Sequence, residues 1–442
     1  MTAESFSTKL DRETLHNSLT DPAIASMNLL NEIADKYPRA ISMAAGRPYE
    51  EFFDVKLIHE YLDAFCDHLR RDRGMDEAGV TRTLFQYGTT KGVIGELVAR
   101  HLAEDEDIHI DPASVVVTVG FQEGIFLVLR ALRASDRDVL LASAPTYVGL
   151  MGAALLTEMP VWPVRSTEHG IDTGHLLEQV KVARERGLRV RGCYLTPNFA
   201  NPTGVSLDLA TRHRLLEIAE ATGLLLLEDN AYGLFGEERL PALKALDQTK
   251  CVVYLGSFAK SGMPGARVGY VVADQPLTPS SPGGDDPGGF ADELSKLKGM
   301  LTVNTSPIAQ AVIGGKLLMH DNSLARANAR EAAVYRRNLG HTLDALTRRL
   351  GACPGVTWNS PTGGFFITVT VPFAVDDALL EHAARDFGVL FTPMHHFYGG
   401  FDSGACGINQ LRLSISLLTP ELIEEGVSRL AALISSRPAD PR

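Results

Sequence analysis

A lone lysine set among small residues directly after an apolar run can serve as a reactive amine. The chain has one in Ser257-Phe258-Ala259-Lys260-Ser261-Gly262-Met263-Pro264-Gly265-Ala266-Arg267-Val268-Gly269-Tyr270, behind the run CVVYLG at 251–256. An amine that forms an imine with an aldehyde must be partly desolvated so that its neutral form is present, and the end of a buried strand supplies that setting. Ser257 and Arg267 flank Lys260 with a hydroxyl and a cationic fork, the kinds of group that hold a dianionic phosphate. A second anion-holding element is Thr118-Val119-Gly120-Phe121-Gln122-Glu123-Gly124, where a strand passes through glycine into a helix whose first backbone N–H groups are free donors. Asp229 closes the run LLLLED at 224–229, at the carboxyl end of a strand, where open α/β sheets gather their ligand groups. Each signal alone has a plainer reading. Lys260 fits a surface turn, Asp229 a strand-end acid, Asn201-Pro202-Thr203-Gly204 a good turn, Tyr147 a core residue and Arg412 a surface arginine.

The elements that must position these groups follow from hydrophobic periodicity. Nearly all-aliphatic runs at 115–119, 139–142, 192–195, 224–227 and 251–255 read as strands covered on both faces. Stretches 122–133 and 207–222 between them read as helices, so the region from about Phe85 to about Met319 is an α/β unit. Residues 325–351 have helical spacing and many charges and lead out of that unit. Strand-like 364–371 and 411–416, with helical 376–386 and 419–435, suggest a smaller α+β lobe completed by N-terminal segments. The segment 275–290 (QPLTPSSPGGDDPGGF) is too rich in Pro, Gly, Ser and Asp for a regular ladder, and reads as a surface excursion or a lid.

Composition limits the function. A length of 442 residues with 45% hydrophobic and 22% charged residues suits a globular chain of more than one core. A formal charge of −12 opposes nucleic-acid binding, though not a local anion pocket. The cysteines, at 66, 193, 251, 353 and 406, show neither disulfide nor zinc spacing. The polar N-terminus and the lack of a long uncharged run point to no membrane span and a cytoplasmic location. His395 and His396 lie together in an aromatic loop with no third metal ligand at helical spacing, so no metal is expected.

The stretch SFAKSGMPGARVGY resembles the lysine signature of the class I/II aminotransferases, the fold-type I family of pyridoxal-phosphate enzymes. Ala259 stands where members usually carry serine, and the match continues in order from Gly46 to Arg412. The resemblance implies a mostly parallel seven-stranded sheet in a large domain at 81–320. Residues 1–80 would form an N-terminal arm and part of a small domain that 321–442 completes. It implies that Lys260 carries the cofactor as an imine, and that Asp229, in an E-D-x-x-Y pattern, keeps the pyridine nitrogen protonated so that the ring is an electron sink. Tyr232 and Asn201 would bond the cofactor's phenolic oxygen, and Tyr147 would stack on its ring. Gly120, Phe121, Gln122, Ser257 and Arg267 would hold the phosphate, and Phe121 removes a hydroxyl that members usually offer there. Tyr87 would reach across a homodimer interface to the neighbouring phosphate, making the active sites composite.

At the substrate end, the resemblance makes Arg412, in Asn409-Gln410-Leu411-Arg412-Leu413-Ser414, the clamp for an α-carboxylate. Gly46-Arg47-Pro48 matches the family's entrance element, and Arg47 is a candidate for a polar or acidic substrate group as readily as a solvent-facing residue. The wording of 26–32, 44–54 and 85–92 resembles the arylglycine aminotransferases of peptide-antibiotic pathways, which make 4-hydroxyphenylglycine or 3,5-dihydroxyphenylglycine from aryl-glyoxylates. The implied cycle is ping-pong between an amino acid donor and a 2-oxo acid acceptor. Rival readings are a broad aromatic or 2-aminoadipate aminotransferase, a decarboxylase, lyase or oxidase on the same fold, and a non-catalytic sensor.

Overall fold

The computed structural model describes residues 10–21, 32–279, 288–399, 401 and 406–437. The aliphatic runs form strands because both faces are covered: β2 (Val115–Thr118) and β7 (Leu226–Asp229) are buried throughout, and β3 (Asp138–Ala144), β6 (Arg189–Leu195) and β8 (Val252–Ser257) over most of their length. With β4 (Val161–Thr167), β5 (Gly170–Ile171) and β9 (Gly269–Val272) they make one sheet in the order β2-β9-β8-β7-β6-β3-β4-β5. The pairs β8/β7, β7/β6, β6/β3 and β3/β4 are parallel, while β9 is antiparallel to both of its neighbours.

The order reverses about β3: the chain steps outward to β4, then returns to lay β6 on the other side. Such a switch point opens a crevice beyond the carboxyl ends of the strands. Those ends lead directly to Tyr147 after β3, Asn201 after β6, Asp229 at the end of β7, and Ser257 and Lys260 at β8. The sheet topology therefore gathers residues that are far apart in sequence.

The sheet has an eighth member beyond the expected seven, because the two-residue β5 turns back on β4. The sequence also hid β4 and β9. β4 (VWPVRST) contains Pro163 and has an exposed outer half, which the periphery of a sheet allows. β7 lies two residues later than its leucines suggested, since the preceding helix (Leu209–Thr222) ends on the left-handed Gly223, and Leu224 only leads into the strand. The long charged helix is interrupted at Asn328, whose side-chain amide bonds the carbonyl oxygens of Leu324 and Ser261, so that a short turn (Leu324–Ala327) precedes the main helix (Ala329–Leu350).

The smaller sheet orders β10 (Thr357–Trp358), β11 (Phe366–Thr370), β14 (Gln410–Ser414) and β13 (Thr392–Pro393), all antiparallel. Helices Ala329–Leu350 and Pro420–Ser435 pack together beside it. Part of the N-terminal segment joins this layer. β1 (Ile41–Ser42) pairs in parallel with β12 (Val389–Leu390), and the Met43 carbonyl accepts from Ser414 N at 2.7 Å. Of the segment 275–290, read from the sequence as a surface excursion or a lid, residues 280–287 lie outside the described residues. Its ends are pinned, since Gln275 donates to the Val252 carbonyl at 2.9 Å and Pro276 bridges Gly289. Most of the 26–32 stretch likewise lies outside the described residues.

Candidate active site

The crevice contains a cavity of about 270 Å³ lined by Gly46, Arg47, Phe121, Gln122, Tyr147, Asn201, Asp229, Tyr232, Ser257, Lys260, Arg267 and Arg412. These are the residues singled out from the sequence, with two exceptions. Gly120 lies just behind the wall, and Tyr87 is 79% exposed and outside the cavity of its own chain. Among the described residues, Asp229 is the only carboxylate on the lining, against three guanidinium groups and Lys260. The cavity thus attracts anions although the whole chain is acidic.

Lys260 leaves β8 through Ser257, whose hydroxyl accepts from Ala259 N at 3.1 Å, and its Nζ donates to the Gly46 carbonyl at 2.5 Å. Burial, reinforced by Arg412 and Arg267, lowers its amine from 10.5 to about 8, so a neutral fraction exists near neutral pH. Asp229, only 7% exposed, is pushed from 3.8 up to about 7 by burial. Its Oδ2 accepts from the Tyr194 hydroxyl at 2.6 Å, while Oδ1 is buried without a partner. A buried carboxylate oxygen without a donor is costly unless a bound group supplies one.

Arg267 and Gly120 define the anion end. Arg267 adopts a left-handed backbone (φ 51°), and its guanidinium lies so close that a Cβ on Gly120 would meet Nη2 at 2.4 Å. Gly120 itself has φ +71°, so glycine is required there by conformation as well as by space. The helix Gly120–Leu132 begins at this point, and the turn is held by Glu123, which accepts from Val119 N and pairs with the buried Lys298 at 2.8 Å. Phe121 meets Tyr147 edge-on with ring centroids 6.0 Å apart, and the Gln122 amide donates to the Tyr147 hydroxyl at 3.1 Å. The Gln122 side chain is therefore engaged with Tyr147.

Arg412 defines the opposite end. It sits on β14 at 5% exposure, donating to Asn201 Oδ1 at 2.6 Å, the Ala44 carbonyl at 2.7 Å and Thr392 Oγ1 at 3.2 Å. Its plane lies over Phe366 and Phe397, 4.4 and 4.9 Å from their ring centres, and its Nε is buried without a partner. Burial lowers the guanidinium to about 10. Gly46 is glycine because a Cβ would lie 2.6 Å from the Phe366 ring. Tyr232 is buried and hydrogen-bonded with Asn201; burial raises its phenol well above the ordinary value.

Several participants were not read from the sequence. Tyr194 reaches Asp229 because β6 and β7 pair with Tyr194 opposite Leu227, which puts Asp229 one pleat further along the same face. Strand register of that kind is not written in either motif. Thr196, Phe366 and Phe397 also line the cavity. The TPN stretch after β6 and the aromatic loop 389–398 were the available signals for two of them.

Comparison with known proteins fits this geometry. The family model "Aminotransferase class I and II" matches residues 43–430. A relative from Amycolatopsis orientalis, (S)-3,5-dihydroxyphenylglycine transaminase, is 71% identical over 442 residues, covering 100% of this chain and 98% of its own. A 2-aminoadipate transaminase from Thermus thermophilus is 32% identical, covering 89% of each chain. Among solved structures, a Pyrococcus horikoshii kynurenine aminotransferase in complex with PMP superposes with TM-score 0.76 at 27% identity, covering 92% of this chain and 94% of that one. The chain belongs to the class I and II aminotransferases, and is a transaminase of fold type I that uses pyridoxal 5′-phosphate.

Proposed function

We propose that the enzyme transfers an amino group from an amino acid donor to an aryl-glyoxylate. The product would be an arylglycine of the (S)-3,5-dihydroxyphenylglycine or 4-hydroxyphenylglycine type, as used in peptide-antibiotic biosynthesis. The observation that carries this reading is the 71% identity over the whole chain to the transaminase named for (S)-3,5-dihydroxyphenylglycine. The aromatic lining from Tyr147, Phe366 and Phe397 suits a flat aryl group.

The cavity fits the cofactor on three counts. Asp229 Oδ1 is a buried acceptor awaiting a donor, the Gly120 turn with Ser257 and Arg267 is an anion cradle, and Lys260 is an amine of lowered basicity between them. When bound, pyridoxal phosphate supplies an electron sink for charge at the substrate α-carbon and stores the amino group between half-reactions. Lys260 would be the covalent anchor for the cofactor aldehyde and the base that moves a proton at the substrate α-carbon. Asp229 would keep the ring nitrogen protonated, with Tyr194 holding the carboxylate in place. Tyr147 would orient the ring and exclude water, Tyr232 and Asn201 would bond the phenolic oxygen, and Phe121 and Gln122 would add main-chain amides to the phosphate. Arg412, aligned by Asn201 and Thr392, takes the substrate α-carboxylate.

Tyr87 is assigned to the cofactor phosphate of a second subunit in a homodimer. In support, Phe85, Tyr87 and Met300 are 81%, 79% and 90% exposed on segments that approach one another, with Thr90 beside Gly299 and Gly88 beside Asn304. An apolar face of that kind suits burial against a second copy. Free cysteines and the absence, among the described residues, of a helix long and apolar enough to cross a membrane fit a cytoplasmic setting.

A second reading is favoured by Arg47, an exposed guanidinium on the cavity wall that suits an acidic side chain as in 2-aminoadipate transamination. A panel of aryl, aliphatic and acidic 2-oxo acids separates the two. The arylglycine reading expects aryl-glyoxylates to show the highest kcat/KM. No aryl-glyoxylate turnover beside good activity on acidic and aliphatic partners would discard it.

A further inference from the structure

We propose that Asp377, His395 and His396 form a binding site for a borderline divalent cation such as Zn²⁺, outside the cofactor cavity. The sequence offered only the adjacent histidines. The fold brings the third ligand from a different element, the helix Asp377–His382, to the turn Met394–Tyr398. One ligand atom from each residue lies within 4.8 Å of the others. His396 Nε2 is 2.7 Å and His395 Nε2 3.6 Å from the same oxygen, Asp377 Oδ1. In a tetrahedral site with metal–ligand distances near 2.0–2.2 Å, ligand atoms stand about 3.3 Å apart, so shifts of about an ångström would complete the shell.

Two features suit the site to a metal. His395 Nδ1 lies 3.3 Å from the Val375 carbonyl, and since a carbonyl only accepts, Nδ1 is the donor there and Nε2 is the ring nitrogen turned toward Asp377. A backbone partner on the far ring nitrogen is the usual means of orienting a metal-binding imidazole. The Asp377 side chain is 51% exposed and that of His395 33%, which leaves a solvent route for the ion and a coordination position for water. Two imidazoles and one carboxylate favour Zn²⁺ or its late-transition neighbours over Mg²⁺ or Ca²⁺, which prefer all-oxygen shells. A bound cation would take the place of the proton between His396 and Asp377. It would tie the helix to the turn whose Phe397 lines the cavity and accepts from Thr146 N at 2.9 Å.

The test is calorimetric titration of the holoenzyme with ZnCl₂ in phosphate-free buffer, in a Cys406→Ser background that removes an exposed competing thiol. The expected result is one Zn²⁺ per chain with micromolar affinity, weakened by at least about tenfold in both Asp377→Ala and His395→Ala. Asp377 begins its helix and is half-exposed, so alanine there should leave the fold intact, which far-UV circular dichroism verifies. No saturable binding up to about 1 mM Zn²⁺, or unchanged affinity in either variant, overturns the proposal.

Discussion

Replacing Asp229 with asparagine should have opposite effects on catalysis and on the stability of the cofactor-free protein. The side chain is 7% exposed, with Tyr194 on one oxygen and nothing on the other. Burial raises its carboxyl from 3.8 to about 7, so the ionised form is held against roughly 4 kcal/mol, at 1.36 kcal/mol for each tenfold. A protonated ring nitrogen at Oδ1 would recover that energy, and an amide of the same size would not. Turnover in Asp229→Asn should therefore fall by about a thousandfold, with cofactor bound more weakly. Without cofactor the sign reverses. A carboxyl raised on folding contributes stability that is fully present below 3.8 and lost as pH climbs through about 7, whereas asparagine has no such dependence. Above neutrality the cofactor-free variant should thus melt higher than the cofactor-free wild type, and the order should invert once cofactor is added. Steady-state kcat and urea melts of both forms at about pH 5 and pH 9 test this. A kcat within tenfold of wild type, or identical cofactor-free melts at the higher pH, would refute the role given to this carboxyl.

Three further outcomes are expected. Gly120→Ala places a Cβ 2.4 Å from Arg267 Nη2 at a φ of +71°, so cofactor should dissociate at least about tenfold faster while the fold survives, as absorbance decay after dilution would report. Arg412→Lys keeps the charge but loses the fork that reaches Asn201 and Ala44 together; kcat/KM should drop about a hundredfold for donor and acceptor alike, and unchanged kinetics would remove Arg412 from the carboxylate site. Because burial with Arg412 and Arg267 lowers Lys260 to about 8, the rate at which cofactor-free enzyme captures pyridoxal phosphate should rise with pH and level off just above 8; a rise continuing past 10 would show an ordinary, solvated amine.

The motifs revealed the ends of strands well because chemistry constrains them tightly. Lys260, Asp229, Asn201 and Arg412 occupy short strings that each allow a plainer reading alone but fit one chemistry when taken together in order, and all four reach one cavity. Buried strands were also legible, since they read as unbroken aliphatic runs. What stayed hidden depends on relations between distant segments. The Tyr194–Asp229 bond is a matter of register between β6 and β7. The Lys298 partner of Glu123 comes from 175 residues away. Strand β4, near the edge of the sheet, with Pro163 and an exposed half, lacks the pattern that marked the inner strands. Asp377 met the two histidines through folding alone, which is why no metal was expected from their spacing.

The central claim is that Lys260 Nζ is the nitrogen that binds the cofactor aldehyde. Borohydride reduction of the purified enzyme after incubation with pyridoxal phosphate, followed by peptide mass spectrometry, tests it most directly. The account predicts a reduced phosphopyridoxyl mass on the peptide containing Lys260, and its loss, together with the visible absorbance, in Lys260→Ala. A modification confined to another lysine, or none at all, would contradict it.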